Sequence, residues 1–105
     1  MVTELNSDYK SVLKDEKKPY VLEFYSESCG TCKQVMPLFA EVASEHADEY
    51  GFYKANVENL MDFAKEHGVN SVPTLLFIED EQVKEKHSGY ITKEEITAKI
   101  EKHFS

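Results

Sequence analysis

The only two cysteines of the chain, Cys29 and Cys32, are separated by two residues and follow a strand-like apolar run. Cysteines at positions i and i+3 lie next to each other on one helical turn, so their sulfurs can meet within the narrow Cα separation of a disulfide. If a helix begins here, Cys29 lies at its N-terminus, where unpaired backbone N–H groups and the helix dipole favour a thiolate. Cys29 is therefore the expected nucleophile, and Cys32 is expected to resolve a mixed disulfide.

The same cysteine spacing also occurs in zinc sites and in structural disulfides. Zinc needs about four ligands, and the four histidines are scattered with no pair at ligand spacing. We therefore predict no metal, although a metal shared by two such pairs across a dimer stays open. A permanently oxidised staple also stays open, but it would close a loop too short to gain much chain entropy.

Length and charge limit the classes of protein. A chain of 105 residues fits one domain, residues 1–105, which can bury a core without metals or staples. The net charge of −8 comes from 20 acidic and 12 basic residues, and every basic residue is a lysine. Nucleic acid is not an expected partner, because no arginine can fork onto phosphate and the overall field repels a polyanion. The acidity favours solubility, and steering of basic partner surfaces is the alternative.

The N-terminal segment, residues 1–8, has neither a basic region nor an apolar core of the kind that a secretory signal needs. No apolar stretch approaches the roughly 20 residues that cross a bilayer. These features predict a cytoplasmic protein with no membrane partner. In that compartment a vicinal cysteine pair is more often catalytic or metal-binding than structural.

The hydrophobic pattern predicts the order αβαβαββα, with a short strand at residues 2–5 as a further candidate. The predicted elements are a helix capped by Asn6 or Ser7, a strand at 20–25, a helix from 32 to about 50, a strand at 52–57, a helix at 60–67 ended by Gly68, a strand at 74–78, an edge strand at 82–87 and a helix from Thr92 with a capping box to Glu95.

This order predicts an α/β fold with a central sheet covered by helices on both faces. The nearly continuous apolar run at 20–25 favours a strand buried on both faces. We expect the first long strands to be parallel, through right-handed crossovers, and the last strand to be antiparallel. Ligand chemistry in such sheets gathers at the carboxyl ends of the strands, and Cys29 lies there.

Taken together, these residues resemble the thioredoxin family over nearly the whole chain. The segment 23–33, with its Cys-Gly-Thr-Cys motif, is similar to the family's strand-to-active-site segment. Pro37 falls where the family kinks its active-site helix, and residues 72–74 resemble its cis-proline signature. Lys54 falls where family members carry a lysine near the buried carboxylate, and Gly89 matches a glycine after the terminal hairpin.

The resemblance implies a thioredoxin fold, with a mixed sheet of parallel strands and an antiparallel terminal hairpin. It implies that Pro73 is cis and lies against the dithiol, which leaves the backbone of Val72 free to pair with an extended substrate. A proline that merely opens an edge strand is the alternative. The implied substrate-binding residues are Gly30, Thr31, Val72, Pro73 and Gly89, and the implied supporting residues are Lys54 and Pro37.

Glu23 is the most informative position after the cysteines. A carboxylate inside a doubly buried strand costs several kcal/mol unless it is paired or protonated, so its presence suggests use. In the family an aspartate here helps to move the proton of the second cysteine, and this chain has the longer glutamate. We expect desolvation to raise the pKa of Glu23 and Lys54 to moderate the rise. A structural Glu23–Lys54 ion pair is the alternative.

Three further positions depart from the family pattern. Ser28 and Tyr25 stand where tryptophans are usual, so the substrate-facing surface is less aromatic. Thr31 replaces a proline, which exposes another N–H group to the thiolate and favours a stronger oxidant. Glu27 acts in the opposite direction, because its charge disfavours a nearby thiolate.

We therefore expect a monomeric protein thiol–disulfide oxidoreductase of thioredoxin type, which reduces disulfide-containing proteins. No bound cofactor is expected. The resemblance implies electrons from NADPH through a separate thioredoxin reductase. The alternatives are a more oxidising oxidase or isomerase, and a binding module that uses the fold without turnover.

Overall fold

The computed structural model describes residues 1–104 and contains five strands and four helices in this range. They are β1 (Thr3–Glu4), α1 (Tyr9–Lys14), β2 (Tyr20–Tyr25), α2 (Gly30–Glu45), β3 (Gly51–Asn56), α3 (Met61–Glu66), β4 (Thr74–Glu79), β5 (Gln82–Ser88) and α4 (Lys93–His103). The predicted order of elements, including the short first strand, is confirmed. None of these helices is long and apolar enough to cross a membrane.

The strands form one mixed sheet in the order β1-β3-β2-β4-β5. β3 runs parallel to both β1 and β2, whereas β4 runs antiparallel to both β2 and β5. The crossover from β2 through α2 to β3 joins neighbouring parallel strands, as expected for a β-α-β unit. The predicted α/β fold with a mixed sheet and an antiparallel terminal hairpin is confirmed.

The change of strand direction comes one strand earlier than expected from the sequence, because β4 is already antiparallel to β2. The six residues of α3 span about 9 Å, whereas a six-residue strand is about 20 Å long. So short a helix returns the chain by less than half the length of a strand. Thr74 therefore begins β4 beside Phe24, near the carboxyl end of β2.

Both faces of the sheet are covered, which explains the continuous apolar run of β2. Every residue of β2 after Tyr20 is buried. α2 and α4 pack on one face and α1 and α3 on the other. The first face buries Val21, Val35, Phe39, Val42, Ala43, Phe52, Leu75, Phe77, Ile91, Ile96, Ile100 and Phe104, and the second buries Leu5, Leu22, Phe24, Tyr53, Ala55, Leu60, Phe63, Ala64, Leu76 and Ile78.

Two helix ends agree with the sequence analysis. Gly68 has a φ of +64°, and its N–H donates to the carbonyl of Lys65 while the N–H of Val69 donates to Ala64, so α3 ends in a Schellman motif. The capping box of α4 is present, with Thr92 and Glu95 each accepting a backbone N–H of the other.

Two other helix ends differ from it. α1 begins after Asp8 and not after Asn6 or Ser7; a turn in which the N–H of Tyr9 donates to the carbonyl of Asn6 occupies the earlier positions. α2 ends at Glu45, about five residues early. The chain must turn there, because the N–H of Gly51 donates to Pro19 at the start of β3.

Candidate active site

Cys29 is the N-cap residue of α2 and Cys32 lies in its first turn. The two are joined by a disulfide with a Cα–Cα distance of 5.3 Å. The backbone N–H of Cys32 donates to Sγ of Cys29 over 3.1 Å. Cys29 is partly exposed, whereas Cys32 is fully buried. The sulfur that a partner can reach is therefore the sulfur at the helix N-terminus.

The start of α2 favours a thiolate at Cys29. The helix has 16 residues and carries no acidic residue in its first turn, so no negative charge in that turn opposes the positive end of the helix dipole. Thr31 follows with a backbone N–H group that a proline would lack. Gly30 is exposed, and a Cβ added to it would meet no atom within 4 Å. This edge of the motif leaves room for a partner to approach.

The loop before β4 lies against the disulfide. The Val72–Pro73 peptide bond is cis, as the resemblance implied, and the carbonyl oxygen of Val72 lies 3.6 Å from Sγ of Cys29. The N–H of Gly89, which has a φ of +96°, donates to the carbonyl of Pro73 over 2.9 Å. The structure therefore brings together the dithiol, the cis-proline loop and Gly89 from distant parts of the sequence.

Glu23 lies in the middle of β2 and its side chain is completely buried. Glu23 lies two residues after Val21 and is the register partner of Leu75, so its side chain is on the same face of the sheet as theirs. α2 covers this face, and Cys32 of α2 is also buried. Within residues 1–104 neither carboxyl oxygen has a hydrogen-bond partner. Desolvation raises the pKa of Glu23 to about 8, against a smaller lowering by the charge of Lys54. The predicted upward shift is confirmed.

Lys54 does not form the alternative ion pair with Glu23, although the two residues are register partners of β3 and β2. Its Nζ lies 3.7 Å from Oε1 of Glu4 on β1 and 5.7 Å from the centre of the Tyr25 ring. Lys54 keeps 31% of its side chain exposed, so its charge stays hydrated there and would lose that hydration beside Glu23. The ion-pair interpretation is therefore wrong.

Pro37 lies inside α2, where its missing N–H leaves the carbonyl of Lys33 without the usual helical donor.

Two residues near the site were not found from the sequence. Glu4 is recognised as part of the site only once β1 is known to pair with β3. Tyr90, which is 54% exposed, is marked only by its position directly after Gly89. No group of three or more histidine, cysteine or carboxylate side chains within residues 1–104 could hold a metal ion.

Comparison with known proteins agrees with this geometry. The family model for thioredoxin matches residues 1–102. The chain belongs to the thioredoxin family. Its Cys29 and Cys32 are spaced as in the family's active site, and their bond is consistent with dithiol–disulfide exchange.

Individual thioredoxins match most of the chain. A thioredoxin of Haemophilus influenzae is 33% identical over 98 residues, which are 93% of this chain and 92% of that protein. A chloroplastic M-type thioredoxin of Spinacia oleracea is 30% identical over 95% of this chain, but the match spans only 55% of its own length. The crystal structure of thioredoxin NaTrxh from Nicotiana alata superposes with a TM-score of 0.86 at 30% identity, covering 99% of this chain and 93% of that one.

Proposed function

We propose that this member of the thioredoxin family is a protein thiol–disulfide oxidoreductase that works mainly as a reductase. The observation that carries the proposal is the placement of the two sulfurs. Cys29 is partly exposed at the start of a 16-residue helix, and Cys32 is buried one turn behind it. One cysteine can meet a substrate and the other can reach only its neighbour.

In the first step the thiolate of Cys29 attacks one sulfur of a substrate disulfide. A bond forms between Sγ of Cys29 and that sulfur, the substrate S–S bond breaks, and the second substrate sulfur leaves as a thiolate that takes a proton from solvent. The N–H of Cys32 and the helix dipole stabilise the attacking thiolate of Cys29.

In the second step Cys32 resolves the mixed disulfide. The Cys32 thiol gives its proton to the carboxylate of Glu23, and the resulting thiolate attacks Sγ of Cys29 and breaks the mixed disulfide. The remaining substrate sulfur leaves as a thiolate and takes a proton from solvent, and Glu23 releases to solvent the proton that it took from Cys32. Glu23 can act both as acceptor and as donor near neutral pH, because burial raises its pKa to about 8. Over both steps the substrate gains two electrons and two protons, and the protein dithiol becomes a disulfide.

The substrate would be held in an extended conformation beside the cis-proline loop. Val72 is half-buried and its carbonyl lies 3.6 Å from Sγ of Cys29, so a strand paired with its backbone would bring a disulfide to the nucleophile. Gly30 and Thr31 follow Cys29 in the first turn of α2, and the N–H of Gly89 donates to the carbonyl of Pro73. Lys54 and Pro37 support the site: Lys54 acts on the pKa of Glu23, and Pro37 shapes α2.

A further dithiol must return the oxidised protein to its reduced form. We assign this step to a separate thioredoxin reductase that draws electrons from NADPH, as the resemblance implies, so that the protein carries electrons without a bound cofactor. This direction needs a reducing compartment, and the cytoplasm is the expected one. We infer that the chain acts as a monomer.

The second candidate function is the opposite direction of electron flow, in which the protein oxidises or isomerises its substrates, and the residue at position 31 favours it. Thr31 supplies an N–H at the helix start in place of proline, and stabilising the thiolate makes a disulfide more oxidising. Equilibration with glutathione buffers measures the potential of the Cys29/Cys32 couple. A potential near roughly −270 mV supports the reductase, and one near roughly −180 mV or above supports an oxidase or isomerase.

Insulin reduction tests the proposed activity. With dithiothreitol as electron source, the wild-type protein should accelerate precipitation of the insulin B chain, and Cys29→Ser and Cys32→Ser should each return the rate to background. Activity that survives in Cys32→Ser would contradict the two-cysteine mechanism. A wild-type protein without activity would favour a binding module that uses the fold without turnover.

A further inference from the structure

Three ionisable side chains lie in one row across the first three strands of the sheet. Glu4 of β1 is the register partner of Lys54 of β3, and Lys54 is the register partner of Glu23 of β2. Register partners on neighbouring strands point to the same face of a sheet. Lys54 is therefore placed between two carboxyl groups that can compete for its ammonium.

In the structure Lys54 pairs with Glu4 and not with Glu23. Nζ of Lys54 lies 3.7 Å from Oε1 of Glu4, whereas the Glu23 oxygens have no hydrogen-bond partner within the described part of the chain. The Tyr25 hydroxyl donates to the same Oε1 over 2.7 Å and fixes the carboxylate in place. The Tyr25 ring lies beneath the ammonium at 5.7 Å, which adds a cation–π attraction on the same side.

We propose that Glu4 is a positioning residue for the exchange reaction: with Tyr25, it holds the Lys54 ammonium at the outer end of the row and leaves the Glu23 carboxyl unpaired beneath α2. This inference rests on the proposed function for its catalytic meaning. If Lys54 turned to Glu23, the carboxylate would be stabilised as an ion and would become a weaker base for the proton of Cys32. Glu4 thus keeps the proton carrier effective by binding the lysine whose charge lowers the pKa of Glu23.

The other groups around Glu23 do not replace this effect. Its neighbour on β4 is Leu75, and α4 faces this side of the sheet with Ile96 and Ile100. Cys32, which is buried in the first turn of α2, does not titrate in the disulfide form. Lys54 is the charged group that acts on the pKa of Glu23, so its position decides how much the carboxylate is stabilised.

The test follows the side-chain carboxyl carbon of Glu23 by carbon-13 NMR during a pH titration of the oxidised protein. Glu4→Gln keeps the shape of the side chain and removes its charge, so Lys54 is free to approach Glu23. The midpoint should fall by about 0.5–1 pH unit, as expected for an opposite charge that moves closer. Tyr25→Phe keeps the charge of Glu4 but removes its hydroxyl anchor, and it should shift the midpoint in the same direction by a smaller amount.

A double-mutant cycle separates positioning from the simple loss of a negative charge. Lys54→Gln should raise the midpoint, and adding Glu4→Gln to it should then shift the midpoint less than half as far as in the wild-type background. Glu101→Gln, an exposed position on α4, removes the same charge elsewhere and should not shift it.

The inference is overturned if Glu4→Gln leaves the midpoint unchanged, or if its shift is as large without Lys54 as with it. The titration needs no turnover, so it is independent of the activity assay. A protein that shows the predicted midpoints but fails to reduce insulin would contradict the proposed function alone, and an active protein without the shifts would contradict the role of Glu4 alone.

Discussion

Glu23 and Lys54 are register partners in the middle of the sheet, and the lysine pairs with Glu4 while the Glu23 carboxyl stays without a hydrogen-bond partner in the described residues. A buried carboxyl group in this situation is more stable with its proton than as an ion. The protonation of Glu23 therefore affects the stability of the fold and, under the proposed function, the resolution of the mixed disulfide by Cys32.

Glu23→Gln should change how stability depends on pH. The pKa of Glu23 is raised from 4.5 to about 8 in the folded protein, so the folded state holds the proton more tightly than the unfolded state. Its contribution to stability is full below pH 4.5 and is lost as the pH rises to about 8. Glutamine has no proton to lose at this pH. The variant should be more stable than the wild type at pH 9 by roughly 3–5 kcal/mol, because each pKa unit corresponds to about 1.4 kcal/mol.

Urea denaturation at several pH values measures this difference. The two proteins should have nearly equal free energies of unfolding at pH 4, where Glu23 is protonated in both states. A constant difference between pH 4 and pH 9 would show that the carboxyl does not titrate with a raised pKa.

Glu23→Ala should slow the second step of exchange and spare the first. Without the carboxylate, the proton of Cys32 must leave to solvent, and loss of a positioned base costs about 100-fold in rate. Stopped-flow measurement with a fluorescent disulfide substrate separates formation of the mixed disulfide from its resolution. An unchanged pH–rate profile for resolution would rule out this role of Glu23.

Much of the fold and of the site could be predicted from the sequence, because the signals are local. The Cys29/Cys32 spacing and the Thr92/Glu95 capping box each act within one helical turn, and both are confirmed. The burial of Glu23 followed from the apolar run around it.

The parts that could not be predicted depend on contacts between distant segments. The antiparallel direction of β4 depends on where the chain re-enters the sheet after α3, and no local sequence signal sets that position. The Glu4–Lys54 pair joins residues fifty positions apart through the two-residue edge strand β1. No local feature of the sequence identifies the strand with which β1 pairs.

Glu85→Gln should weaken the attachment of α4 to β5 at neutral pH. Glu85 accepts hydrogen bonds from Lys99 and from Nε2 of His103, the latter over 2.6 Å, and these bonds lower its pKa. A lowered pKa gives stability that is present above 4.5 and is lost as the pH falls through the folded-state value. The variant should lose about 1 kcal/mol at pH 7 and progressively less as the pH falls from 4.5 to 3, measured by urea denaturation.

Glu101→Gln is the matched control on the same helix, and its unfolding free energy should change little at either pH. If Glu85→Gln and Glu101→Gln behave alike at pH 7, the contacts of Glu85 contribute nothing measurable.

Glu81→Gly should stabilise the hairpin between β4 and β5. Asp80 and Glu81 form its two-residue loop with φ values of 54° and 64°, as in a type I′ turn, where glycine is preferred at the second position. Removing the Cβ relieves the left-handed strain, which exceeds the entropic cost of glycine, so we expect a gain of about 0.5–1 kcal/mol.

Thermal denaturation of Glu81→Gly and Glu81→Ala distinguishes strain from charge. Alanine removes the carboxylate but keeps the Cβ, so it should not reproduce the gain. Equal stabilisation by both substitutions would mean that charge repulsion, and not backbone conformation, is responsible.

The central claim is that Cys29 attacks and Cys32 resolves. The most direct test treats Cys32→Ser and Cys29→Ser, both reduced, with a peptide whose cysteine carries a thiopyridyl disulfide, and follows the products by mass spectrometry. We predict a stable peptide adduct on Cys29 of Cys32→Ser, slow or no adduct on the buried Cys32 of Cys29→Ser, and release of the peptide thiol by the wild type with formation of the Cys29–Cys32 disulfide. An adduct that forms on Cys32 as fast as on Cys29 would contradict the account.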